Sequence, residues 1–238
     1  MWTPVEPVKE TFPRAQGDEA VVVIMAKAPV PGKSKTRLSP PLSPQQAADL
    51  QAALLRDSVA LAQRAGKGQT VLFCPSPGAP GGWEALHLVA AGLPVVVQCS
   101  SGLGPGLLEA ATRAAAAGYG KTLLLDADSP TVPPGYLELA LAHLDERDMV
   151  LGPAEDGGYY LLGLKQPHPC LFQGIPWSTP TVTDETLAAA RAHGLCVGML
   201  PPWYDVDTPQ DVTRLRADLA HNPGSAPATW ALLQELLP

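Results

Sequence analysis

The sequence predicts an α/β domain with a mainly parallel central sheet, helices on both faces of the sheet and a smaller hairpin in the second half. Short runs of Val, Leu and Ile alternate with stretches of helical length, which is the pattern of βαβ units. The runs are continuously apolar, as expected for strands that are buried on both faces. The predicted strands are residues 21–25, 70–74, 95–99 and 122–125.

Helical stretches fill the intervals between these strands. The first has Ser43 as its N-cap and Pro44 at its first position, and it extends to about residue 65. A Gly-Gly pair between two apolar runs of residues 148–164 predicts the hairpin. The other helices are predicted at residues 83–91, 107–117 and 133–144, before Gly194, after Pro209 and near the C-terminus.

The composition is that of one globular domain. The 238 residues are 46% hydrophobic and 16% charged, and no linker divides them. We therefore predict a domain over residues 21–238 after a loose N-terminal extension, residues 1–20. The net charge of −7 argues against nucleic acid as the main partner, because a phosphate backbone requires a basic face.

Membrane insertion and export are not predicted. No apolar run approaches the roughly 18 residues of a membrane helix, and the first twenty residues have no apolar signal region. The four cysteines, at positions 74, 99, 170 and 196, lack CxxC spacing. We interpret them as buried thiols of a cytoplasmic protein. The oligomeric state is left open.

An acidic pair follows the fourth predicted strand. Asp126 and Asp128 are two positions apart, so they share one side of an extended chain, and Ser129-Pro130 then ends the strand. In open α/β sheets, ligands bind at the carboxyl edge of the strands. Two carboxylates there suggest a divalent ion, Mg²⁺ or Mn²⁺, that holds phosphates. The alternative is that one Asp only caps the next helix.

A basic loop follows the first strand. Lys27, Lys33, Lys35 and Arg37 are four of only 16 basic residues. The Gly-Lys-Ser sequence resembles the end of a phosphate-binding P-loop, but the first glycine is replaced by Lys27 and the prolines prevent the required helix. Lys33, Lys35 and Arg37 at alternate positions would still hold a di- or triphosphate. The alternative is a solvated surface loop.

A second acidic turn lies near the C-terminus. Asp205 and Asp207 repeat the spacing of the first pair, and Thr208-Pro209 begins a helix with Asp211 in its first turn. A cap role would explain Asp207 or Thr208, but it leaves one carboxylate over. That carboxylate would complete the oxygen shell of a divalent ion.

Two further segments supply candidate ligand contacts. Gly157 and Gly158 permit close approach of a ligand to the backbone, although a hairpin turn alone would explain them. Trp177, Ser178 and Thr179 lie on a loop before a helix, where a cap role is the alternative to a polar contact with a ligand. The histidines have no spaced partners, so neither a histidine metal site nor a Ser-His-Asp triad is predicted.

These motifs, taken in order, resemble a known family. The stretches AKAPVPGKSKTRL, DADSPTVPPGYL, VLGPAEDGGYYLLGL, IPWSTPTV and DVDTPQD are similar to those of the bacterial glycosyltransferase-like family linked to arsenosugar biosynthesis, within the GT-A nucleotide-diphosphosugar transferase superfamily. The resemblance covers residues 21–215. It implies one GT-A (Rossmann-like) domain, a nucleotide over the first half and a divalent ion at the acidic strand end.

The resemblance also implies roles for individual residues. Lys33, Lys35 and Arg37 would contact the nucleotide phosphates, Asp128 would be the principal metal ligand, and Asp207 would be the second acidic contributor. The acceptor side would be formed by Asp156, Gly157 and Gly158. The chain departs from its relatives in two places: Asp126 completes an Asp-x-Asp, and GLGPGL, residues 102–107, replaces a GDLGER-like segment.

The function predicted from these observations is metal-dependent transfer from a nucleotide-activated donor, most simply a sugar nucleotide, to a small-molecule acceptor. Asp156 is the first candidate for the general base of an inverting reaction. One alternative is nucleotidyl transfer, in which a phosphorylated acceptor attacks an NTP and pyrophosphate leaves. Another is a catalytically silent nucleotide-binding protein, which the altered GLGPGL segment keeps open.

Overall fold

The structure is a computed structural model that describes residues 11–16, 19–64, 68–78, 80–90 and 92–236. Its centre is one seven-stranded sheet in the order β3-β2-β1-β4-β6-β5-β7. All neighbouring strands are parallel except β6, which is antiparallel to both β4 and β5. The strands are β1 (Ala20–Met25), β2 (Gly68–Pro75), β3 (Val95–Gln98), β4 (Lys121–Asp126), β5 (Met149–Pro153), β6 (Tyr159–Leu164) and β7 (Val197–Met199).

Helices cover both faces of this sheet, as predicted. They are α1 (Pro44–Arg64), α2 (Gly82–Ala90), α3 (Leu103–Ala116), α4 (Pro134–Glu146), α5 (Val182–Ala192), α6 (Pro209–His221) and α7 (Pro227–Leu236). Successive β1 side chains point to opposite faces, so Val22 packs with α1, α2 and α4 while Val23 packs with α3 and α5. A third apolar cluster joins α1, α6 and α7. The α/β fold class and the mainly parallel sheet are confirmed.

Two helix starts show how far local signals determine the boundaries. Ser43 caps α1 as predicted, because its Oγ accepts from the Gln46 N–H at 3.2 Å and the Gln46 side chain accepts from the Ser43 N–H at 2.8 Å. Helix α3, however, begins at Leu103 rather than at residue 107. Pro105 falls in its first turn, where the missing N–H has no partner to lose.

Part of the predicted N-terminal extension packs on the domain. Phe12 is buried, with its ring 6.1 Å from that of Phe73, and the Ala15 N–H donates to the carbonyl of Ala117 at 3.0 Å. Residues 1–10 and 17–18 of that extension lie outside the described residues.

The cysteines differ from their prediction. Cys74 is buried within the sheet, but Cys99 and Cys196 are exposed and Cys170 is partly exposed. Cys99 lies just beyond β3 and Cys196 just before β7, and these are the two edge strands of the sheet. Separately, none of the described helices combines the length and the apolar character that are needed to cross a membrane.

Asp57 links α1 to α7 from a buried position. Its carboxylate accepts from the backbone N–H groups of Ala228 at 3.1 Å and Thr229 at 2.7 Å, at the start of α7. The negative charge therefore lies at the positive end of that helix. Replacement by Ala is expected to lower the free energy of unfolding by about 2 kcal/mol, because two buried N–H groups lose their acceptor.

Urea denaturation measures this loss, and the same helix provides a control. Asp49 is exposed, and among the described residues its one side-chain hydrogen bond comes from Gln45 at 2.9 Å. Asp49→Ala is expected to change stability by less than about 0.5 kcal/mol. Equal losses in the Asp49 and Asp57 variants would show that the contact with α7 contributes nothing specific.

Candidate functional site

A cavity of about 570 Å³ opens at the carboxyl edge of the central strands. Strands β1 and β4 run in parallel with Met25 opposite Asp126, so the segments that follow them leave the sheet side by side. Most of the predicted site residues line this cavity: Lys27, Arg37, Asp126, Asp128, Asp156, Gly158, Trp177, Ser178, Thr179 and Asp207. Lys33, Lys35 and Gly157 are not among its lining residues.

Lys35 points into the protein between two acidic segments. Its Nζ donates to the carbonyl of Val206 at 2.7 Å and lies 2.7 Å from Asp207 Oδ1 and 2.9 Å from Asp128 Oδ1. Only 4% of the side chain is exposed. Burial lowers the pKa of Lys35, but the two carboxylates outweigh burial and raise it overall. The ammonium therefore stays charged.

This geometry corrects the predicted arrangement of the basic loop. The prediction placed Lys33, Lys35 and Arg37 at alternate positions of the loop, where all three would hold the phosphates. Lys35 instead has a left-handed backbone conformation, with φ of 48°, and a 3-10 turn at Thr36–Leu38 follows. The chain reverses there, so alternate residues no longer share a face. In this structure the Lys35 donors are used by protein acceptors.

The other cations of the loop remain accessible. Lys27 and Lys33 are exposed, and Arg37 is 72% exposed with its Nη1 3.7 Å from Asp207 Oδ2. Lys27 and Arg37 line the cavity, whereas Lys33 lies outside it. The cationic side of the cavity is thus formed by two residues from opposite ends of the loop.

The two aspartates after β4 make different contacts. Both oxygens of Asp126 accept from Ser129, from its N–H at 3.2 Å and from its hydroxyl at 2.7 Å. Burial and the nearby charge of Asp128 raise the pKa of Asp126 well above its usual value. The Asp126 carboxylate therefore stabilises the loop that follows β4, while the Asp128 carboxylate pairs with the Lys35 ammonium.

The turn at Asp205 and Asp207 lies against this loop. The Val206 N–H donates to the carbonyl of Asp128 at 3.0 Å. Burial, together with the charges of Asp156, Asp207 and Asp128, raises the pKa of Asp205 to about 6. Burial also acts to raise the pKa of Asp207, but the cationic neighbours, led by Lys35, lower it overall.

Thr208, and not Asp207, is the N-cap of helix α6. Its hydroxyl accepts from the Asp211 N–H at 3.4 Å, and the Asp211 carboxylate accepts in return from the Thr208 N–H at 2.6 Å. Thr208 and Asp211 thus form the capping box of α6. Neither Asp205 nor Asp207 is the cap of α6, and both line the cavity. The sequence prediction had selected only Asp207.

The turn between β5 and β6 forms the opposite wall. Asp156 Oδ1 accepts from the Gly158 N–H at 2.8 Å. Gly157 has φ of +93°, and a Cβ there would overlap the carbonyl of Pro180, so this position requires glycine. The Thr183 N–H then donates to the carbonyl of Gly157 at 2.9 Å. These contacts fix the turn against the start of α5.

The loop before α5 contributes Trp177, Ser178 and Thr179. Ser178 has φ of 64°, which is uncommon for a residue other than glycine, and the Thr179 hydroxyl donates to the carbonyl of Pro176 at 2.7 Å. Neither hydroxyl caps α5, which has Thr181 at its N-cap position without a capping hydrogen bond from that side chain. The alternative cap role for Ser178 and Thr179 is therefore excluded.

The GLGPGL segment, residues 102–107, packs against Trp177. A Cβ on Gly104 would overlap the indole of Trp177, so glycine allows the ring to lie directly on α3. The ring of Tyr159 packs edge-on against the indole, with centroids 6.3 Å apart. Leu103 and Leu107 of the same segment also line the cavity. The sequence prediction missed this apolar wall. The signal that could have indicated it is the repeated glycine of GLGPGL, because glycine lets a large ring approach the backbone closely.

The acidic edge fits a divalent cation in the chemistry of its donors. Asp128 and Asp207 are carboxylates that Mg²⁺ and Mn²⁺ accept as ligands, and they already converge on one cationic atom, Lys35 Nζ. In the part of the chain that the structure describes, no three acidic, histidine or cysteine side chains converge as a closed metal site. An ion bound here would take further ligands from water or from phosphates.

Known structures share this fold. A provisionally named nucleotide-diphospho-sugar transferase from Desulfovibrio desulfuricans G20 is 30% identical, with a TM-score of 0.84 over 92% of this chain and 95% of that chain. A cytidylyltransferase from Leptospira borgpetersenii is 12% identical, with a TM-score of 0.57 over 92% and 93% of the two chains. The first match confirms the predicted nucleotide-sugar transferase fold, and the second shows the fold alone.

A third structure with this fold contains ligands. Glucosyl-3-phosphoglycerate synthase from Mycobacterium tuberculosis, in complex with Mn²⁺, UDP and phosphoglyceric acid, is 11% identical. Its TM-score is 0.52, over 86% of this chain and 78% of that chain. This likeness again concerns the fold. No curated protein sequence matches the chain.

The sequence itself matches one family model. Residues 58–179, just over half of the chain, match the family described as "Uncharacterized protein conserved in bacteria (DUF2064)". The matched region contains the acidic strand end, the turn at Asp156 and the loop at Trp177, and it excludes the basic loop and the turn at Asp205. From this match, which covers most of the walls of the cavity, it follows that the chain belongs to the DUF2064 family.

Proposed function

We propose that this protein is a divalent-metal-dependent glycosyltransferase that uses a sugar nucleotide as donor and a small molecule as acceptor. The observation that carries the proposal is one cavity with the acidic pair Asp128 and Asp207 beside the cationic residues Lys27 and Arg37. This combination suits a metal-bound diphosphate, since phosphate oxygens bind cationic side chains directly and can share a divalent ion with acidic residues. The proposed location is the cytoplasm.

The donor side is assigned to the acidic and basic edge. Lys27 and Arg37 would donate to the phosphate oxygens, and Arg37 can do so with two parallel N–H groups. Asp128 and Asp207 would hold Mg²⁺ or Mn²⁺, with Asp126 supporting the loop through Ser129. The bound ion supplies positive charge that stabilises the leaving nucleoside diphosphate. Lys33, exposed at the loop surface, would act on the nucleotide only at longer range.

The acceptor side is assigned to the opposite wall. Asp156 lines the cavity, and only its Oδ1 has a hydrogen bond among the described residues, so Oδ2 can accept a proton from an acceptor hydroxyl. Gly158, Ser178 and Thr179 would offer polar contacts. Trp177 would pack against an apolar or ring face of the acceptor.

Nucleotidyl transfer is the second candidate. The same two cations, Lys27 and Arg37, would hold a triphosphate, and an acceptor phosphate needs no protein base. The two reactions differ in their products. Release of a nucleoside diphosphate from a sugar nucleotide supports glycosyl transfer, whereas release of pyrophosphate from an NTP supports nucleotidyl transfer. Tight nucleotide binding without either product would identify a silent binding protein.

Loss of one acidic ligand tests the metal-dependent transfer. Asp128→Asn is expected to reduce kcat/KM by about 100-fold or more, because the charge that opposes the diphosphate through the metal is lost. Initial rates with Mn²⁺ and the best donor from a thermal-shift screen measure this. Asp145→Asn, an exposed change in an ion pair with Lys121 outside the cavity, is the matched control. Equal rates for both variants would refute the role of Asp128.

Burial of Asp205 and its repulsion by neighbouring carboxylates predict that the stability of the protein depends on pH. The pKa of Asp205 is about 6 in the folded protein against an ordinary value of 3.8. Between these values the folded state binds more protons than the unfolded state, so this group makes stability fall as pH rises from about 4 to 6. Asp205→Asn removes that loss.

We therefore expect the Asp205→Asn variant to be more stable than the wild type at pH 8 and similar to it at pH 4. Urea denaturation in the presence of EDTA measures both conditions, because EDTA removes divalent ions that would offset the repulsion. A stability difference that is the same at both pH values would show that Asp205 is not under this repulsion.

Two glycines test the apolar wall. Gly104→Ala is expected to displace Trp177, with a loss of about 1–3 kcal/mol and a change in Trp fluorescence, because the new Cβ overlaps the indole. Gly135→Ala in α4 is the control, since its Cβ would meet nothing within 4 Å. It is expected to be neutral or to stabilise by up to about 1 kcal/mol. Equal free energies of unfolding for the two variants in urea denaturation would contradict the packing of Trp177 against Gly104.

A further inference from the structure

The acidic edge already holds a cation that belongs to the protein. The Lys35 ammonium has three N–H donors, and three acceptors surround it: the carbonyl of Val206 at 2.7 Å, Asp207 Oδ1 at 2.7 Å and Asp128 Oδ1 at 2.9 Å. Its side chain is almost fully buried. Each donor therefore has a partner, and the ammonium lies where the two carboxylates converge.

A divalent ion would need the same carboxylates. Asp128 and Asp207 are 36% and 38% exposed, so an ion in the cavity can reach them. An ion that bound both would lie next to Nζ, and like charges at such a distance repel strongly outside bulk water. The described residues also provide no third side-chain ligand for a closed site. The free protein therefore offers the ion few ligands and an unfavourable charge.

The phosphates of a nucleotide would remove both obstacles. Their oxygens supply the ligands that the protein lacks, since Mg²⁺ is commonly bound by one or two carboxylates together with phosphates and waters. Their negative charge also offers Lys35 a new acceptor of the same type as the carboxylates. The exchange needs only a movement of the lysine side chain, which has several rotatable bonds.

We infer that Lys35 is a built-in counter-ion that keeps the free protein from binding a divalent ion tightly, so that the ion binds together with the nucleotide. This inference rests on the proposed function, because it takes the acidic edge to be the metal site. It makes Lys35 a positioning residue that holds Asp128 and Asp207 together before the substrate arrives. It also reconciles the inward direction of Lys35 with a role near phosphates.

Mn²⁺ alone tests the inference, because binding to the nucleotide-free protein requires no donor, acceptor or turnover. Lys35→Met removes the charge and keeps much of the side-chain length. We expect its Mn²⁺ dissociation constant, measured from the electron paramagnetic resonance signal of free Mn²⁺, to be at least about tenfold lower than that of the wild type. Lys35→Met/Asp128→Asn is expected to lose this gain, which would locate the ion at the acidic edge.

Two control variants separate charge from other effects. Lys33→Met removes the same charge from an exposed position of the same loop, and its Mn²⁺ affinity without nucleotide is expected to match the wild type. Lys35→Arg keeps the charge and is expected to keep the weak affinity. A folded Lys35→Met protein that binds Mn²⁺ no more tightly than the wild type would overturn the inference.

A second neutral variant covers the case in which Lys35→Met does not fold. Lys35→Gln removes the charge, and its amide N–H groups can still donate to Asp128 and Asp207. Its Mn²⁺ dissociation constant without nucleotide is expected to be at least about tenfold lower than that of the wild type. A folded Lys35→Gln protein that binds Mn²⁺ no more tightly than the wild type would overturn the inference. Failure to detect any transfer product would count against the proposed function, not against these binding results.

Discussion

One buried ammonium organises the candidate site. Lys35 joins the loop after β1 to Asp128 after β4 and to Asp207 before α6, residues that are far apart in the chain. A buried charge is costly unless acceptors replace its water, and here two carboxylates and a carbonyl do so. The contact between Val206 and Asp128 depends on the same arrangement. Lys35 thus joins the loop after β1 to both acidic segments of the cavity.

The rest of the edge is arranged at a cost in stability. Asp126, Asp128, Asp156, Asp205 and Asp207 all line one cavity, and the raised pKa values of Asp126 and Asp205 show that burial and mutual repulsion oppose their ionisation. Lys35 offsets only part of this repulsion. Sites that bind cations commonly retain such unfavourable charge, because the ligand compensates it. The fixed turn at Gly157 and the wall at Trp177 place the other half of the cavity on rigid elements.

Most secondary-structure elements could be predicted from the sequence, but the contacts within the candidate site could not. Apolar runs, Ser43 and Thr208 are local signals, so the strands and the starts of α1 and α6 could be predicted from them. The segments that form the cavity were also predictable, since each follows a strand or precedes a helix. The inward turn of Lys35 was not, because it depends on a left-handed backbone and on partners 93 and 172 positions away. The position of β6 between β4 and β5 likewise arises from long-range pairing.

The antiparallel direction of β6 has a consequence for how the site can vary. Because β6 runs opposite to its neighbours, the short turn from β5 carries Asp156 to the same edge as the carboxyl ends of the parallel strands. Hydrogen-bonded strands hold both ends of that turn, and α5 holds its middle. The wall at Asp156 is therefore held independently of the loop after β1. Under the proposed function, exchange of residues 154–158 and 176–180 between relatives would alter recognition of the acceptor and leave recognition of the donor intact.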